Sequence, residues 1–277
     1  MIQLLPKPMK ATPYSRTRTV KSFEKLLVQP KYDGIRATFE KGALYSYDRL
    51  EIFGVPEITE YLRSLSISTI PDGELYSDTL DFDTLSGVVR RRSNNLSPLR
   101  DQVHFVVFDL IVELIDNFQR ATWVGQMSPI FDPAFVRTSP TYQIPNKEER
   151  IQYYLNSFID KGYEGIILRN PKALYEFKRS TQMYKIKPFK SDIYKIVGFK
   201  EEISKDGIPK GRLGSFILIG EEGVRFNASG IEDSIKEKVW ANPEFYLGKM
   251  VKVKYQRKTT KGRRRHANFI SFVENIE

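Results

Sequence analysis

A lysine, an aspartate and an arginine lie close together in one short segment of the chain, around a glycine. They are Lys31, Asp33 and Arg36, with Gly34 between them. Side chains at alternate positions of an extended strand point to the same side, so Lys31 and Asp33 can act together. An amine can be a nucleophile, a carboxylate can hold a divalent metal, and a guanidinium matches phosphate in shape. The segment therefore suits phosphate chemistry, although a solvated hairpin turn can have the same composition.

Four further groups of polar residues interrupt apolar segments later in the chain. In order, they are Asp72-Gly73-Glu74, Phe108-Asp109, Glu164-Gly165, and Lys185 with Lys187. Asp109 interrupts the apolar run from 104 to 111, where a carboxylate requires a partner because burying an unpaired charge is costly. Taken singly, each group also has a structural explanation, such as a strand-edge acid, a core aromatic or a solvated lysine face.

The elements that must position these residues are mostly strands. The segment from 29 to 39 is predicted to form strand, tight turn and strand, where Gly34 takes a positive φ or allows a close backbone approach. Further strands are predicted at 43–49, 70–76, 104–111, 163–169 and 184–188. Helices are predicted at 56–62, at 81–89 and between Asn146 and Gly162, with a short helical pattern around Phe23, Leu26 and Leu27.

The sequence pattern changes after Pro188. Five short strands are predicted at 193–199, 215–219, 224–227, 250–256 and 268–272, with one helix at 231–240. Five strands and one helix in about 90 residues are typical of a small barrel that binds oligonucleotides. We therefore predict one domain over residues 1–188 and a second over residues 189–277.

Composition excludes several classes of protein. The 277 residues contain 44 Lys and Arg against 34 Asp and Glu, a formal net charge of +10 that favours polyanionic partners. Cysteine is absent, which removes disulfides and thiol catalysis and fits a reducing compartment. With only two histidines, His104 and His266, a histidine-rich metal site or a serine triad is not expected. No apolar run approaches the ~20 residues of a membrane span, so no membrane partner is expected.

Taken in order, these motifs resemble those of the covalent nucleotidyl transferases, which include ATP-dependent DNA ligases, RNA ligases and mRNA capping enzymes. The closest resemblance is to the small ATP-dependent DNA ligases of double-stranded DNA bacteriophages, and it extends to the segments 81–87 and 265–269. It implies an α+β fold: a nucleotidyltransferase (ATP-grasp-like adenylation) domain of antiparallel sheets and helices, followed by an all-β OB-fold barrel. Five motifs in this order are far more specific than any one of them.

The resemblance also implies a role for each motif residue. Lys31 would attack the α-phosphate of ATP and carry the AMP, with Lys185 and Lys187 as the other catalytic residues around that phosphate. The cofactors would be ATP and Mg²⁺ or Mn²⁺, held by Glu164 and Asp33. The remaining positions would bind the nucleotide: Gln29 and Phe108 at the adenine, Glu74 at the ribose, and Arg36 and Arg49 at phosphates, including the phosphate at a DNA nick.

A run of basic residues near the end of the chain predicts a nucleic-acid surface. Between Phe245 and Val273 there are nine Lys and Arg and no acid. A solvated protein face normally mixes charges of both signs, whereas a one-sign run suits a phosphate backbone. The predicted DNA-binding residues of this run are Lys258, Lys261, Arg263, Arg264 and Arg265.

The chain departs from the resembling family at its end. The family's last motif carries an arginine that orients the pyrophosphate leaving group, but here the segment 271–275 has no basic residue and Val273 stands at that place. We expect that Arg263, Arg264 or Arg265, or a magnesium ion, takes over this role; binding only DNA is the equal alternative for the three arginines. No DNA-binding domain is expected before residue 29.

The predicted function is that of an ATP-dependent DNA ligase. It would seal 5′-phosphate/3′-hydroxyl nicks in duplex DNA through a lysyl-adenylate and a DNA-adenylate. An RNA ligase or a capping guanylyltransferase is one alternative, and a nick-binding protein deficient in self-adenylylation is another. The expected partner is nicked double-stranded DNA, and the expected protein is a monomer of the cytoplasm, that of a host cell if it is viral.

Overall fold

The computed structural model describes residues 4–14, 20, 22–220, 223–256, 258 and 262–273. The predicted DNA-binding residue Lys261 therefore lies outside the described residues. Contacts divide the chain into two compact units, Met1–Lys187 and Pro188–Glu277, and each is described by itself. Within the described ranges, no helix is long and apolar enough to cross a membrane.

Strands make up most of the first unit. They are β1 (Lys10–Pro13), β2 (Lys25–Lys31), β3 (Ile35–Glu40), β4 (Ala43–Ser46), β5 (Ile70–Tyr76), β6 (His104–Ile111), β7 (Val136–Thr138), β8 (Tyr142–Pro145), β9 (Gly165–Arg169) and β10 (Arg179–Ile186). The helices are α1 (Pro56–Ser64), α2 (Phe82–Val89), α3 (Asn117–Met127) and α4 (Glu148–Asp160), with 3₁₀ turns at Pro98–Gln102 and Ser128–Ile130.

These strands form two five-stranded sheets. The first sheet has the order β1-β10-β9-β2-β8, and the second has the order β4-β3-β5-β6-β7. The pairs are antiparallel, as predicted, except at one edge of each sheet, where β1 lies parallel to β10 and β7 parallel to β6. The edge pair of β1 and β10 joins segments 169 residues apart, and it places Pro13 beside Lys185 of β10.

Strand β2 contradicts the short helix predicted around Phe23, Leu26 and Leu27. Leu26 and Val28 pack with α4 on one face of the first sheet, while Leu27 is buried from the opposite side. Because the strand is buried on both faces, its apolar residues run without alternation, and periodicity alone does not separate such a strand from a helix. The strand–turn–strand predicted for 29–39 is confirmed.

Helices α1, α2 and α3 cover the outer face of the second sheet and enclose the largest core. Pro56 begins α1, where its missing N–H costs nothing. Asp81 caps α2 by accepting a hydrogen bond of 2.8 Å from the backbone N–H of Thr84. The helices predicted at 56–62 and 81–89 are thus confirmed, and each sheet keeps its other face for the cavity described below.

Asp109 is buried and has the partners that the sequence requires. Its carboxylate accepts hydrogen bonds from Arg120 of α3, at 2.8 Å from Nε, and from Arg169 of the first sheet. It also accepts the backbone N–H of Leu110 at 2.9 Å. The two guanidinium groups outweigh the effect of burial and hold the pKa of Asp109 below its usual value. Asp109 therefore joins the two sheets and α3 at one point.

Replacing this carboxylate should destabilise the first unit. Asp109→Asn leaves two buried guanidinium groups without their counter-charge, so the free energy of unfolding should fall by about 3–5 kcal/mol. Urea unfolding followed by tryptophan fluorescence measures the loss. Asp78→Asn is the matched control, because its ion pair with Arg137 is exposed and should contribute less than about 1 kcal/mol. Equal losses in the two variants would contradict this assignment.

The second unit contains the five strands and the helix predicted after Pro188. They are β11 (Lys190–Ile203), β12 (Pro209–Ile219), β13 (Arg225–Ala228), β14 (Met250–Tyr255), β15 (Asn268–Phe272) and α5 (Asp233–Ala241), followed by the one-turn α6 (Pro243–Tyr246). The sheet order is β13-β12-β11-β14-β15, and α5 packs against β12 over an apolar core.

The predicted barrel is not closed. Over the described residues, the edge strands β13 and β15 approach each other only at a single bridge between Ser229 and Asn268. Strand β13 pairs with β12 along its four residues, and Ser229, which directly follows it, makes the bridge to Asn268. The unit is thus a curled five-stranded sheet whose edges meet at one place.

Candidate active site

A cavity of about 210 Å³ lies between the two sheets of the first unit. Both sheets contribute strand residues to its wall. Six residues predicted from the sequence line it: Gln29, Lys31, Arg36, Glu74, Phe108 and Lys185. Segments as far apart in the sequence as β2 and β10 therefore meet at one cavity, as the motif analysis requires.

Close packing of β9 against its neighbours places Glu164 beside Lys31. Gly165 pairs with Lys31 across the two strands, and the backbone N–H of Glu164 donates to the carbonyl of Lys31 at 2.9 Å. A Cβ atom on Gly165 would lie 2.1 Å from the carbonyl oxygen of Ile186, so only glycine permits this approach. The Glu164 carboxylate then contacts two ammonium groups, Lys31 through Oε2 and Lys187 through Oε1.

The charges of this cluster alter the pKa values of its members. Burial opposes ionisation of Glu164, but Lys31 and Lys187 more than compensate and hold the pKa of Glu164 below its usual value. Burial lowers the pKa of Lys187, and the nearby Lys31 lowers it further. The pKa of Lys185 is lowered by burial and then by Lys187, Lys31, Arg179 and Lys10. Lys31, Lys185 and Lys187 thus form a cationic wall, and a bound anion would offset the repulsion among their ammonium groups.

Gly34 allows a close approach rather than a positive φ. A Cβ atom at this position would lie 2.2 Å from the carbonyl oxygen of Leu75, so β3 and β5 come together only with glycine there. Arg36 pairs with Glu74 across these strands. The Arg36 guanidinium forms two hydrogen bonds with buried Asp72, at 2.8 and 2.6 Å, so its orientation is fixed.

A β-bulge turns Phe108 toward the cavity. The register of β5 and β6 shifts at this point, so that Phe108 has no directly paired partner. Its half-buried ring lines the cavity, with the Arg36 guanidinium 4.9 Å from the ring centroid. Gln29 is fixed next to it, because its Nε2 donates to the Phe108 carbonyl at 2.9 Å and to the Thr141 hydroxyl at 2.8 Å. A ring face and an amide edge thus lie at the same end of the cavity.

The acidic residues fit a metal that is held mainly by a phosphate ligand. Among the described residues there is no cluster of three or more acidic or histidine side chains that could form a metal cage by itself. Magnesium, however, commonly binds through one or two carboxylates together with substrate phosphates. Glu164 lies beside the lysines of the cavity. Asp33 lies near Lys187, and its charge partly offsets the lowering of the pKa of that lysine. The two predicted ligands therefore suit this mode of binding.

The structure does not bring Arg49 to the cavity. Its guanidinium contacts the buried carboxylate of Glu40 and donates to the Thr38 hydroxyl at 2.8 Å, on strand β3. Arg36, Thr38 and Glu40 alternate along β3 and therefore share a face, so Arg49 lies farther along the face that carries Arg36. Its predicted contact with nick phosphate stays a prediction.

The sequence analysis missed eight residues of the cavity wall, among them Lys10, Tyr47 and Arg169. Arg169 is the last residue of β9, five residues after Glu164. Its role depends on the distant Asp109, with which its guanidinium forms an ion pair. Lys10 and Tyr47 meet across the cavity, with the Lys10 ammonium 4.5 Å from the ring centroid. No local pattern marks this pair, because the two residues come from the edge regions of different sheets.

The basic run of the second unit is not one exposed surface. Lys258 and Arg263 are exposed and Arg265 is half-buried, but Arg264 is only 4% exposed. Its guanidinium donates to the Tyr194 hydroxyl at 2.8 Å and packs against the rings of Tyr194 and Phe226. Arg264 is therefore part of the core of the unit. Its predicted contacts with DNA or pyrophosphate have no support in this position.

Comparison with known proteins agrees with this architecture. Residues 8–187 match the family described as "ATP dependent DNA ligase domain", and residues 206–272 match the "DNA ligase OB-like domain". The first match alone covers well over half of the chain. The chain therefore belongs to the ATP-dependent DNA ligase family.

Individual relatives are more distant. The DNA ligase of African swine fever virus (isolate Warthog/Namibia) is 26% identical over 179 residues, covering 58% of this chain and 41% of the viral protein. The DNA ligase of phage T4 is 33% identical over 119 residues, covering 39% of this chain and 24% of the phage protein. The matches thus span less than half the length of these relatives.

A solved structure has the same fold along nearly the whole chain. It comes from a structure–function analysis of Lig E DNA ligases, described as binding DNA with a minimal scaffold, and it superposes with a TM-score of 0.81. The superposition covers 98% of this chain and 100% of the other at 22% sequence identity. At that identity the likeness establishes the fold.

Glu74 should make nucleoside binding depend on pH. Burial raises the pKa of Glu74 to about 7, although Lys31 and Arg36 act in the opposite direction. A carboxylate accepts hydrogen bonds from both ribose hydroxyls, whereas the protonated form loses one acceptor. Adenosine, which has no phosphate, should therefore bind about tenfold more tightly at pH 8 than at pH 6 by calorimetry. Glu74→Gln should remove this dependence, and an unchanged pH profile in that variant would exclude Glu74 as its source.

Proposed function

We propose that the protein is an ATP-dependent DNA ligase that seals nicks carrying a 5′-phosphate and a 3′-hydroxyl. AMP is first transferred from ATP to Lys31, then from Lys31 to the 5′-phosphate at the nick. The 3′-hydroxyl then attacks that phosphate and releases AMP. Membership of the ATP-dependent DNA ligase family supports this proposal, and so does the arrangement of the cavity.

The observation that carries the proposal is the cluster of Lys31, Glu164 and Lys187, with Lys185 on the same cavity wall. A lysine that only made a salt bridge would not need two further lysines beside it, because like charges repel. Two ammonium groups on the Glu164 carboxylate, with the Lys185 ammonium on the same cavity wall, leave a net positive site, which suits an incoming phosphate anion. The position of Lys31 within this group supports the proposal that its amine is the nucleophile.

The first step forms one bond and breaks one bond. The Lys31 amine, after losing a proton to solvent, attacks the α-phosphorus, and an N–P bond forms. The bond from that phosphorus to the bridging oxygen of the β-phosphate breaks, and pyrophosphate leaves with the electron pair. Lys185 and Lys187 hold the negative charge of the α-phosphate while this happens, and Glu164 keeps Lys31 and Lys187 next to each other.

A divalent cation would be held by Glu164 and Asp33 together with the phosphates, and it would supply further neutralisation of the phosphate charge. At the other end of the cavity, Phe108 stacks on adenine and the fixed Gln29 presents its amide edge to the base. Glu74 accepts the ribose hydroxyls. Arg36, already oriented by Asp72, provides a guanidinium for the phosphate of the nick.

The second unit would hold the DNA duplex. We propose that its exposed cations, including Lys258 and Arg263, contact the phosphate backbone without reading the base sequence. The match of this unit to the DNA ligase OB-like domain supports that role. We also propose a monomer that acts in the cytoplasm of a host cell; the absence of cysteine and the viral and phage relatives support this compartment.

Replacement of Lys31 tests the covalent step directly. Lys31→Ala should form no adenylate with radiolabelled ATP on a denaturing gel, yet should still seal a nick whose 5′ end is already adenylated. Lys161→Ala, an exposed lysine in the turn that ends α4, is the matched control and should label normally. A labelled adduct in Lys31→Ala would disprove the assignment. A GMP adduct in the wild type would indicate a capping enzyme, and no adduct with either nucleotide would indicate a nick-binding protein.

Arg263 and Arg264 should respond differently to replacement. Arg263→Ala removes an exposed cation, so the slope of log affinity for nicked DNA against log salt should flatten by about 0.9 while stability is retained. Arg264→Ala removes a buried guanidinium from between aromatic rings and should destabilise the unit by more than about 2 kcal/mol. Fluorescence anisotropy at several salt concentrations and thermal unfolding measure the two effects. A loss of stability in Arg263→Ala together with a flatter salt slope in Arg264→Ala would mean instead that Arg263 is structural and that Arg264 contacts DNA.

A further inference from the structure

Lys10 lies in the wall of the cavity but has no part in the functions assigned above. It begins β1, the edge strand of the first sheet, and pairs with Arg179 of β10. In the same pair of strands, Pro13 pairs with Lys185. Its ammonium group is near enough to Lys185 to lower the pKa of that lysine. The parallel pairing of β1 and β10 therefore adds a further cation beside the catalytic lysines.

Tyr47 holds this lysine from the opposite sheet. Tyr47 follows β4, the edge strand of the second sheet, and its ring lies 4.5 Å from the Lys10 ammonium. The face of an aromatic ring attracts a cation without neutralising its charge. The contact therefore orients the Lys10 side chain at the cavity and leaves its full positive charge available to a ligand.

The cations of the cavity divide into two groups. Lys31 and Lys187 contact Glu164, and the two arginines of the wall are bound to buried aspartates. Within the described part of the chain, neither Lys10 nor Lys185 has a carboxylate in an ion pair. Asp48, whose pKa Lys10 helps to lower, already binds Lys7 at 2.6 Å. Two ammonium groups on the β1 and β10 side of the cavity thus remain without counter-charge.

The order of the strands places Lys185 and Lys10 on the same side of Lys31. Lys31 lies on β2, and the strands β9 and β10 separate β2 from β1, so the two edges of this wall are about 14 Å apart. A displacement at phosphorus places the attacking and leaving atoms roughly in line. A leaving group on the side of the α-phosphate that faces β10 and β1 would meet Lys185 and then Lys10.

We propose that Lys10, oriented by Tyr47, binds the terminal phosphates of ATP and stabilises pyrophosphate as it leaves. This inference rests on the proposed adenylylation of Lys31. The bonds formed and broken are those of the first step above, and Lys10 holds the charge that develops on the departing oxygen. Lys10 supplies, from the first unit, a cation for the leaving group that the end of the chain lacks at Val273.

The test compares the binding of nucleotides with and without the terminal phosphates. Lys10→Met keeps most of the length of the side chain and removes its charge. It should slow single-turnover adenylylation and weaken binding of α,β-methylene-ATP by about tenfold or more, because a contact between charged groups is lost. Binding of AMP and sealing of a pre-adenylated nick should not change. The reverse reaction, from adenylylated enzyme and pyrophosphate to ATP, should slow equally.

Matched variants distinguish a ligand contact from a structural one. Lys161→Met removes an exposed lysine that does not line the cavity, and it should leave adenylylation unchanged. Lys10→Arg should restore most of the rate. Tyr47→Phe keeps the ring face and should be nearly normal, whereas Tyr47→Leu should resemble Lys10→Met if Tyr47 acts as a positioning residue.

Three results would overturn the inference. In Lys10→Met, normal adenylylation with normal methylene-ATP affinity would exclude any contact with the terminal phosphates. Equal loss of AMP and methylene-ATP binding would mean that Lys10 only supports the cavity. A defect confined to AMP transfer onto the nick would assign Lys10 to the DNA phosphate. Failure of the wild type to form an adenylate would instead reject the proposed function, while the comparison of AMP with methylene-ATP affinity still tests Lys10.

Discussion

The carboxylate of Glu164 holds together two ammonium groups that would otherwise repel each other. Lys31 ends β2 and Lys187 directly follows β10, and each contacts one oxygen of this carboxylate. The arrangement depends on Gly165, because any side chain at that position would collide with the backbone of β10. A single close approach between strands therefore determines whether the cationic wall exists, and the ligand that this wall can bind follows from its charge.

The local part of the site could be predicted from the sequence. Lys31, Glu74 and Lys185 each interrupt an apolar strand, Phe108 directly precedes the interrupting Asp109, and all four predicted residues line one cavity. Such interruptions are visible within a few residues. The helices that begin at Pro56 and after Asp81 were predictable for the same reason, since their first turns carry their own signals.

The remaining features depend on pairings between distant segments. Lys10 enters the cavity wall only because β1 pairs in parallel with β10, and Arg169 has a buried partner only because β6 lies nearby. Likewise, Arg264 stands in a run of three arginines, and only the position of Tyr194 decides that the middle one is buried. Charge in a sequence indicates a class of ligand, but the packing of rings around a guanidinium decides whether that ligand can reach it.

The two ends of the cavity are connected to the sheets in different ways. At the base end, Arg169 joins Asp109 and Gln29 joins the Phe108 carbonyl, so hydrogen bonds link the sheets directly behind the ring. At the other end, the attraction between Lys10 and Tyr47 spans the gap. Such a contact tolerates small changes in distance and angle better than a hydrogen bond does. Under the proposed function, sequence variation near Lys10 can therefore reshape the phosphate end without disturbing the base end, so nucleotide choice and reaction rate can change separately.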